Sequence, residues 1–260
     1  MNLLKKTLAG AAIASAMISS AFAAPQTIGG VTWDPDASND FSSFSIAIRQ
    51  VIDPVTGVVS GFGFISTMNG TGQAVFCASG CEVTFVFGGF TPIGSTLLPG
   101  VGTSINYSGG FVNVYVDSTP NAPTLIDPSN PASLNLANTS DGDLWLSMQG
   151  HTLPNGSTFT GTVQSQFGSI SSLQGGGVLD VTGGLAAAAF NTNTKADGAD
   201  FTFSNSFTQF NPTNNLLDTS GTGNFSSDSI PVRVPEPGSL ALVGLALVGL
   251  AATRRTTKAS

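Results

Sequence analysis

Short runs of alternating apolar and polar residues, each closed by glycine or proline, constrain this chain of 260 residues more than any other feature. Phe44, Ile46 and Ile48 alternate with Ser45, Ala47 and Arg49, the period of two that a half-buried strand requires. Asp53-Pro54-Val55-Thr56-Gly57 supplies turn chemistry, and Val58 to Ser66 returns with Phe62 and Phe64 on one face. The same alternation recurs in Val83, Phe85 and Phe87, and in Val112, Val114 and Val116. It returns in Leu144 to Met148, Thr158 to Phe167 and Val178 to Val181, and in Phe201, Phe203, Phe207 and Phe210. Leu185 to Phe190, with its alanine run, suits either a helical turn or a close-packed strand, and Asn224-Phe225-Ser226 reads as an added edge.

About ten short strands, with no amphipathic helix of ten residues between them, predict an all-β body. The expectation is an antiparallel β-sandwich or a jelly-roll-like domain over residues 24–215. A solenoid would need a fixed repeat, and none is present. Residues 117–142 carry four prolines among Asn, Asp and Ser, which predicts a long loop laid over the surface. From 216 to 233 the polar, Ser- and Gly-rich composition predicts a flexible spacer.

Both ends differ from this body. Lys5 and Lys6 precede an apolar, alanine-rich stretch that closes on Ala21-Phe22-Ala23. That is the layout of a secretory signal peptide over 1–23, cut before Ala24 and read by the Sec translocon. The basic residues of the two ends do not belong to the delivered body. Between residues 24 and 237 only Arg49, Lys195 and Arg233 face fifteen acids, a net charge of −12. Such a surface has no footprint for nucleic-acid phosphates, which excludes nucleic acid as a partner.

Export also decides the reading of the two cysteines, Cys77 and Cys81. In an oxidising compartment they predict a local disulfide, because zinc would need two further ligands and the chain has a single histidine. That histidine, His151, sits in a turn without a G-x-S-x-G elbow, so it carries no hydrolase signature. The glutamates are Glu82 and Glu236; Glu82 lies opposite Val83, Phe85 and Phe87, where solvent exposure is expected. Asp34-Pro35-Asp36-Ala37-Ser38-Asn39-Asp40 has the density of oxygen ligands that calcium uses, but it lacks the EF-hand spacing, and Asx turns account for it. Asp141-Gly142-Asp143 and Asp197-Gly198-Ala199-Asp200 are weaker versions of that run. Ice binding would need regular Thr-x-Thr rows; Thr158 to Thr162 and Thr192 to Thr194 are isolated. No catalytic residue, metal or cofactor is assigned from these patterns.

The C-terminal tail is the most specific motif. Val234-Pro235-Glu236-Pro237-Gly238 forces extended backbone, and an apolar stretch follows over about 238–252. At about 22 Å as a helix it is short for a ~30 Å hydrocarbon core, and Arg254 and Arg255 form a basic stop on the cytoplasmic side of a transmembrane helix. Residues 256–260 follow as a cytoplasmic end.

This tripartite end, 234–255, closely resembles the PEP-CTERM sorting signal. The resemblance implies an exosortase substrate from Gram-negative bacteria that make extracellular polysaccharide. Such a precursor is anchored in the inner membrane by its tail, processed near Pro235-Glu236-Pro237, then released or attached at the cell surface or matrix. Extracellular polysaccharide is the implied surrounding, and an exosortase-type enzyme the implied partner. These readings together predict a non-enzymatic exported surface or matrix protein. The alternative is a secreted carbohydrate-binding or hydrolytic β-domain that assembles aspartates across strands, and a permanently anchored membrane protein is a third reading.

Overall fold

The computed structural model describes residues 24–37, 40–94, 100–123, 133–167, 169–211 and 217–230. The chain divides into a compact unit, Pro25–Pro231, and a second unit made of Met1–Ala24 with Val232–Ser260. The expected signal peptide and the tail helix lie outside the described residues.

The strands run in chain order as β1 (Gln26–Ile28), β2 (Val31–Trp33), β3 (Phe41–Ile52), β4 (Val59–Phe64), β5 (Thr67–Met68), β6 (Thr71–Gly72) and β7 (Glu82–Pro92). They continue as β8 (Ser104–Asp117), β9 (Asp143–Gly150), β10 (Phe159–Phe167), β11 (Ser169–Gly183), β12 (Phe201–Asn211) and β13 (Leu217–Ser227). Two single helical turns, α1 (Gln73–Phe76) and α2 (Ala187–Phe190), interrupt them.

Hydrogen-bonded neighbours follow the order β3-β4-β7-β8-β10-β11-β12-β13, and β13 pairs back onto β3. The path is therefore a closed, all-antiparallel meander. Strand β9 also lies between β8 and β11, antiparallel to both, so β9 and β10 fill one slot in succession with the 151–158 loop between them. An even number of slots, eight, is what an all-antiparallel ring needs to close.

Closure corrects two expectations. The all-β, antiparallel reading stands, but the architecture is a closed barrel with extra strands rather than a sandwich or jelly roll. The expected spacer from 216 onward contains the closing strand, β13. It pairs with β12 along one side and β3 along the other, and Phe225 packs against the core. Beyond it, Ser229 accepts from the Trp33 indole at 3.2 Å, and Ile230 N–H donates to the Ala189 carbonyl at 2.8 Å.

The barrel is solid because phenylalanine rings lie over glycines on neighbouring strands. A Cβ added at Gly63 would stand 2.3 Å from the Phe85 ring, and one at Gly61 2.5 Å from Phe87. Gly175 and Gly177 make the same room for Phe159 and Phe203. Pairing small with large side chains fills a narrow barrel to normal interior density. One end is stopped by Trp33, Phe41, Trp145, Phe190 and Phe201, with ring centroids 4.8 to 6.5 Å apart. Trp33 comes from the β1–β2 hairpin, whose Gly29-Gly30 turn has positive φ at both residues, and the Trp145 indole donates to the Ile28 carbonyl. Beside this stopper, the Cys77–Cys81 disulfide joins α1 to the start of β7, with both cysteines buried in the same core.

Strand β3 changes faces midway. Between Ser45 and Ile48 its pairing with β13 slips by one residue, a bulge. Phe41, Ser43 and Ser45 are buried before the slip, and Ile48, Gln50 and Ile52 after it. Phe44 consequently points outward and is 41% exposed, against the expectation from simple alternation.

Candidate functional site

Glu82, Asp200, Asp34, the His151–Asp180 pair and the Lys195–Asp228 pair lie in separate places, and each performs a local structural task. Glu82 is buried rather than exposed, 1% accessible, because the loop after β8 covers the outer face of β3, β4 and β7. Its carboxylate accepts from the backbone N–H groups of Asn121 and Ala122 at 2.9 to 3.1 Å. Burial raises its pKa above the ordinary value; the N–H donors oppose that shift, and the neighbouring charges of Asp117 and Asp141 add to it. Beside it, Thr84 Oγ1 donates to the Thr139 carbonyl, and Leu134 packs on Ala47 and Phe64. Glu82 thus clamps a loop onto the barrel wall.

Asp200 is a second buried carboxylate, 2% accessible, accepting from the N–H groups of Val181, Thr192 and Asn193, all at 2.7 Å. It ties the 191–200 connection to β11. The Asp197-Gly198 segment before it turns through positive φ at both residues, so Asx and loop chemistry explains this acidic run. In the first acidic run, Asp34 accepts from Asp36 N–H at 2.9 Å, and Asn69 reaches the carbonyls of Asp34 and Asp40. Ser38 and Asn39 lie outside the described residues. Asp141 accepts from the Asn121 side chain. Among the described residues no three His, Cys, Asp or Glu side chains come together as a metal site would need.

His151 is paired with Asp180, Nδ1 to carboxylate at 2.8 Å, and its own N–H donates to the Val178 carbonyl. This is the imidazole–carboxylate half of a triad. Among the described residues no Ser or Thr hydroxyl is hydrogen-bonded to the imidazole, and the pair pins the start of the 151–158 loop to β11. Lys195 pairs with Asp228 at 2.8 Å, and that hydrogen bond holds the Asp228 carboxyl below its usual value.

The interior offers little space. A cavity of about 30 Å³ lies among Phe87, Phe90, Phe203 and Phe225, and two of about 20 Å³ lie nearer Gln50, Tyr107 and Phe159. None is lined by a carboxylate or the histidine. Trp33, Trp145 and Tyr107 are buried, so they form no exposed sugar platform. An open groove of about 340 Å³ lies on the outer face of β11, β12 and β13, lined by Phe44, Gln174, Ser204, Ser206, Thr222 and Asn224. Sequence reasoning missed it because it is made of residues that alternation marks only as the solvent side. The misassigned strand β13 supplies two of the six.

The tail decides the route. Comparison with known families matches residues 233–255. The tail is a PEP-CTERM protein-sorting motif. The match spans Val234, Pro235, Glu236, Pro237 and Gly238 and runs through Arg254 and Arg255. A PEP-CTERM motif implies an exported, membrane-anchored precursor that exosortase processes. The motif leaves the barrel itself unassigned. No curated protein and no solved structure matches the chain.

Proposed function

We propose that the barrel is a non-enzymatic module, carried by the PEP-CTERM route to the cell surface or extracellular matrix, where it associates with exopolysaccharide in a biofilm. The observation that carries this reading is the division of the barrel between its two faces. Inside, its own rings take up the space a substrate would need. Outside, β12 and β13 present Thr202, Ser204, Ser206 and Thr208 beside Ser220, Thr222, Asn224 and Ser226, a surface of hydroxyls and amides. A membrane barrel has the reverse arrangement, with an apolar band outward. Work done by such a molecule is contact made by its exterior.

The dispersal of Glu82, Asp200, His151–Asp180 and Lys195–Asp228 supports a display role over hydrolysis, which needs two carboxylates facing one another across a cleft. The test is fractionation of the producing bacterium together with deletion of the gene. The processed protein is expected with the matrix polysaccharide, and the deletion strain is expected to form altered biofilm. Free protein in the medium, with biofilm unchanged by the deletion, would sink the proposal.

A further inference from the structure

The outer groove has a composition that selects for one kind of ligand. Strand pairing sets its residues in rows: Gln174, Ser206 and Thr222 in one, and Gly176, Ser204, Asn224 and Phe44 in the next. At about 4.8 Å between strands, the second row runs about 14 Å across four strands. Gly176 leaves one end of that row low, and Phe44 stands at the other end as an exposed ring that pairs with no other ring among the described residues. Ser204 Oγ donates to Asn224 Oδ1, which engages the oxygen of that amide and not its N–H groups. Among the described residues, Gln174, Ser206 and Thr222 have no side-chain hydrogen-bond partner. The lining holds no charge, although the body carries −12.

We infer that this groove binds a neutral glycan, an inference that rests on the outer-surface reading above and names its partner chemistry. A sugar ring offers C–H groups on a face and hydroxyls around a rim. The C–H groups suit the electron-rich face of Phe44, and the hydroxyls both donate to and accept from amides and hydroxyls. Other ligand classes fit less well. An anionic polymer meets a strongly acidic body with no basic side chain in the groove. An extended peptide would need a free strand edge, and the ring of paired strands leaves none here. A lipid surface needs far more apolar area than one ring.

The test uses the full processed protein in affinity electrophoresis and titration calorimetry, with a soluble neutral glucan and its oligosaccharides as probes and a polyuronate as the anionic contrast. Retardation by the neutral glucan is expected and none by the polyuronate. Phe44→Ala and Gln174→Ala are each expected to weaken binding at least tenfold, and Phe44→Trp to strengthen it. Phe111→Ala, at another exposed ring, leaves binding unchanged. All three positions are exposed, so the variants fold, and unchanged thermal unfolding checks this. Absence of glucan binding, or equal binding by Phe44→Ala, overturns the inference. Matrix association in cells that survives Phe44→Ala would overturn the groove and leave the display role standing. Glucan binding in vitro without matrix association in cells would do the reverse.

Discussion

Strands β3, β4 and β7 each bury residues on both faces, and the two buried regions are built differently. Inward, Phe85 and Phe87 fill space that Gly61 and Gly63 vacate, and the rings belong to one cluster that runs through the barrel from Trp33 to Leu173. Outward, Ala47, Phe64 and Leu134 form a cluster of three, with Phe62 and Ala122 against it, under a loop held by Glu82 and Thr84. The inner region draws its stability from apolar area and close packing, shared among every strand. The outer region has little apolar area and depends on a few hydrogen bonds between barrel wall and loop backbone. One should fail all at once and the other locally.

The largest expected effect comes from breaking the ring. Truncation after residue 216 removes β13 and leaves β3 and β12 as open edges while exposing Ile48, Phe207 and the ring cluster. Loss of cooperative unfolding in a calorimetric scan is expected. A truncated chain that still unfolded in one sharp transition would restore 216–233 as a dispensable spacer. Trp145→Ala comes next. The side chain is fully buried, meets three other rings and donates to Ile28, so a cost of about 3–5 kcal/mol spread over the whole barrel is expected from denaturant unfolding. A purely local effect, confined to protection of the β1–β2 hairpin, would show that the stopper is an accessory and not part of the core.

The same contrast explains how much could be read from residues. Where a strand sets a bulky apolar face against a polar one, as in Val112, Val114 and Val116, alternation revealed it. The body's all-β class followed. Of β13 only Asn224-Phe225-Ser226 reads as an edge, because the rest of its inward face is Thr219, Gly221 and Gly223. A Cβ at Gly221 would strike the Ser206 carbonyl and the Phe207 ring, so the inward positions are small to admit rings supplied by other strands. The strand is buried without being hydrophobic, and hydrophobic periodicity cannot find such a strand. Without a closing strand the same pattern predicts a sandwich in place of a barrel. The turn to the opposite face at Phe44 was hidden for a related reason: a bulge is a property of pairing with β13, not of β3 alone. The strand face of Glu82 predicts exposure, which is right about direction and blind to the loop, thirty-nine residues away at Asn121, that covers it. The two cysteines were legible because their loop is local, and the tail because its signal is linear.

Glu82 gives the smallest and most discriminating test of the outer region. Removing the acceptor with Glu82→Ala leaves the N–H groups of Asn121 and Ala122 without partners, at about 1–3 kcal/mol, and hydrogen exchange should quicken at 121–123 and 133–142 while the ring strands stay protected. Glu82→Gln keeps a neutral acceptor and isolates the charge. Because burial raises the folded-state pKa, the protonated form is favoured by folding. That contribution is fully present below the unfolded value near 4.5 and is lost as pH rises through the higher folded value. The wild type should therefore lose stability relative to Glu82→Gln between pH 4.5 and 7, as read by paired urea titrations in which the other carboxylates cancel. If the wild type instead gains on Glu82→Gln over that range, the N–H donors outweigh burial. The clamp would then be an anion site built to favour charge, and the outer region would owe its hold to electrostatics rather than to the covering loop.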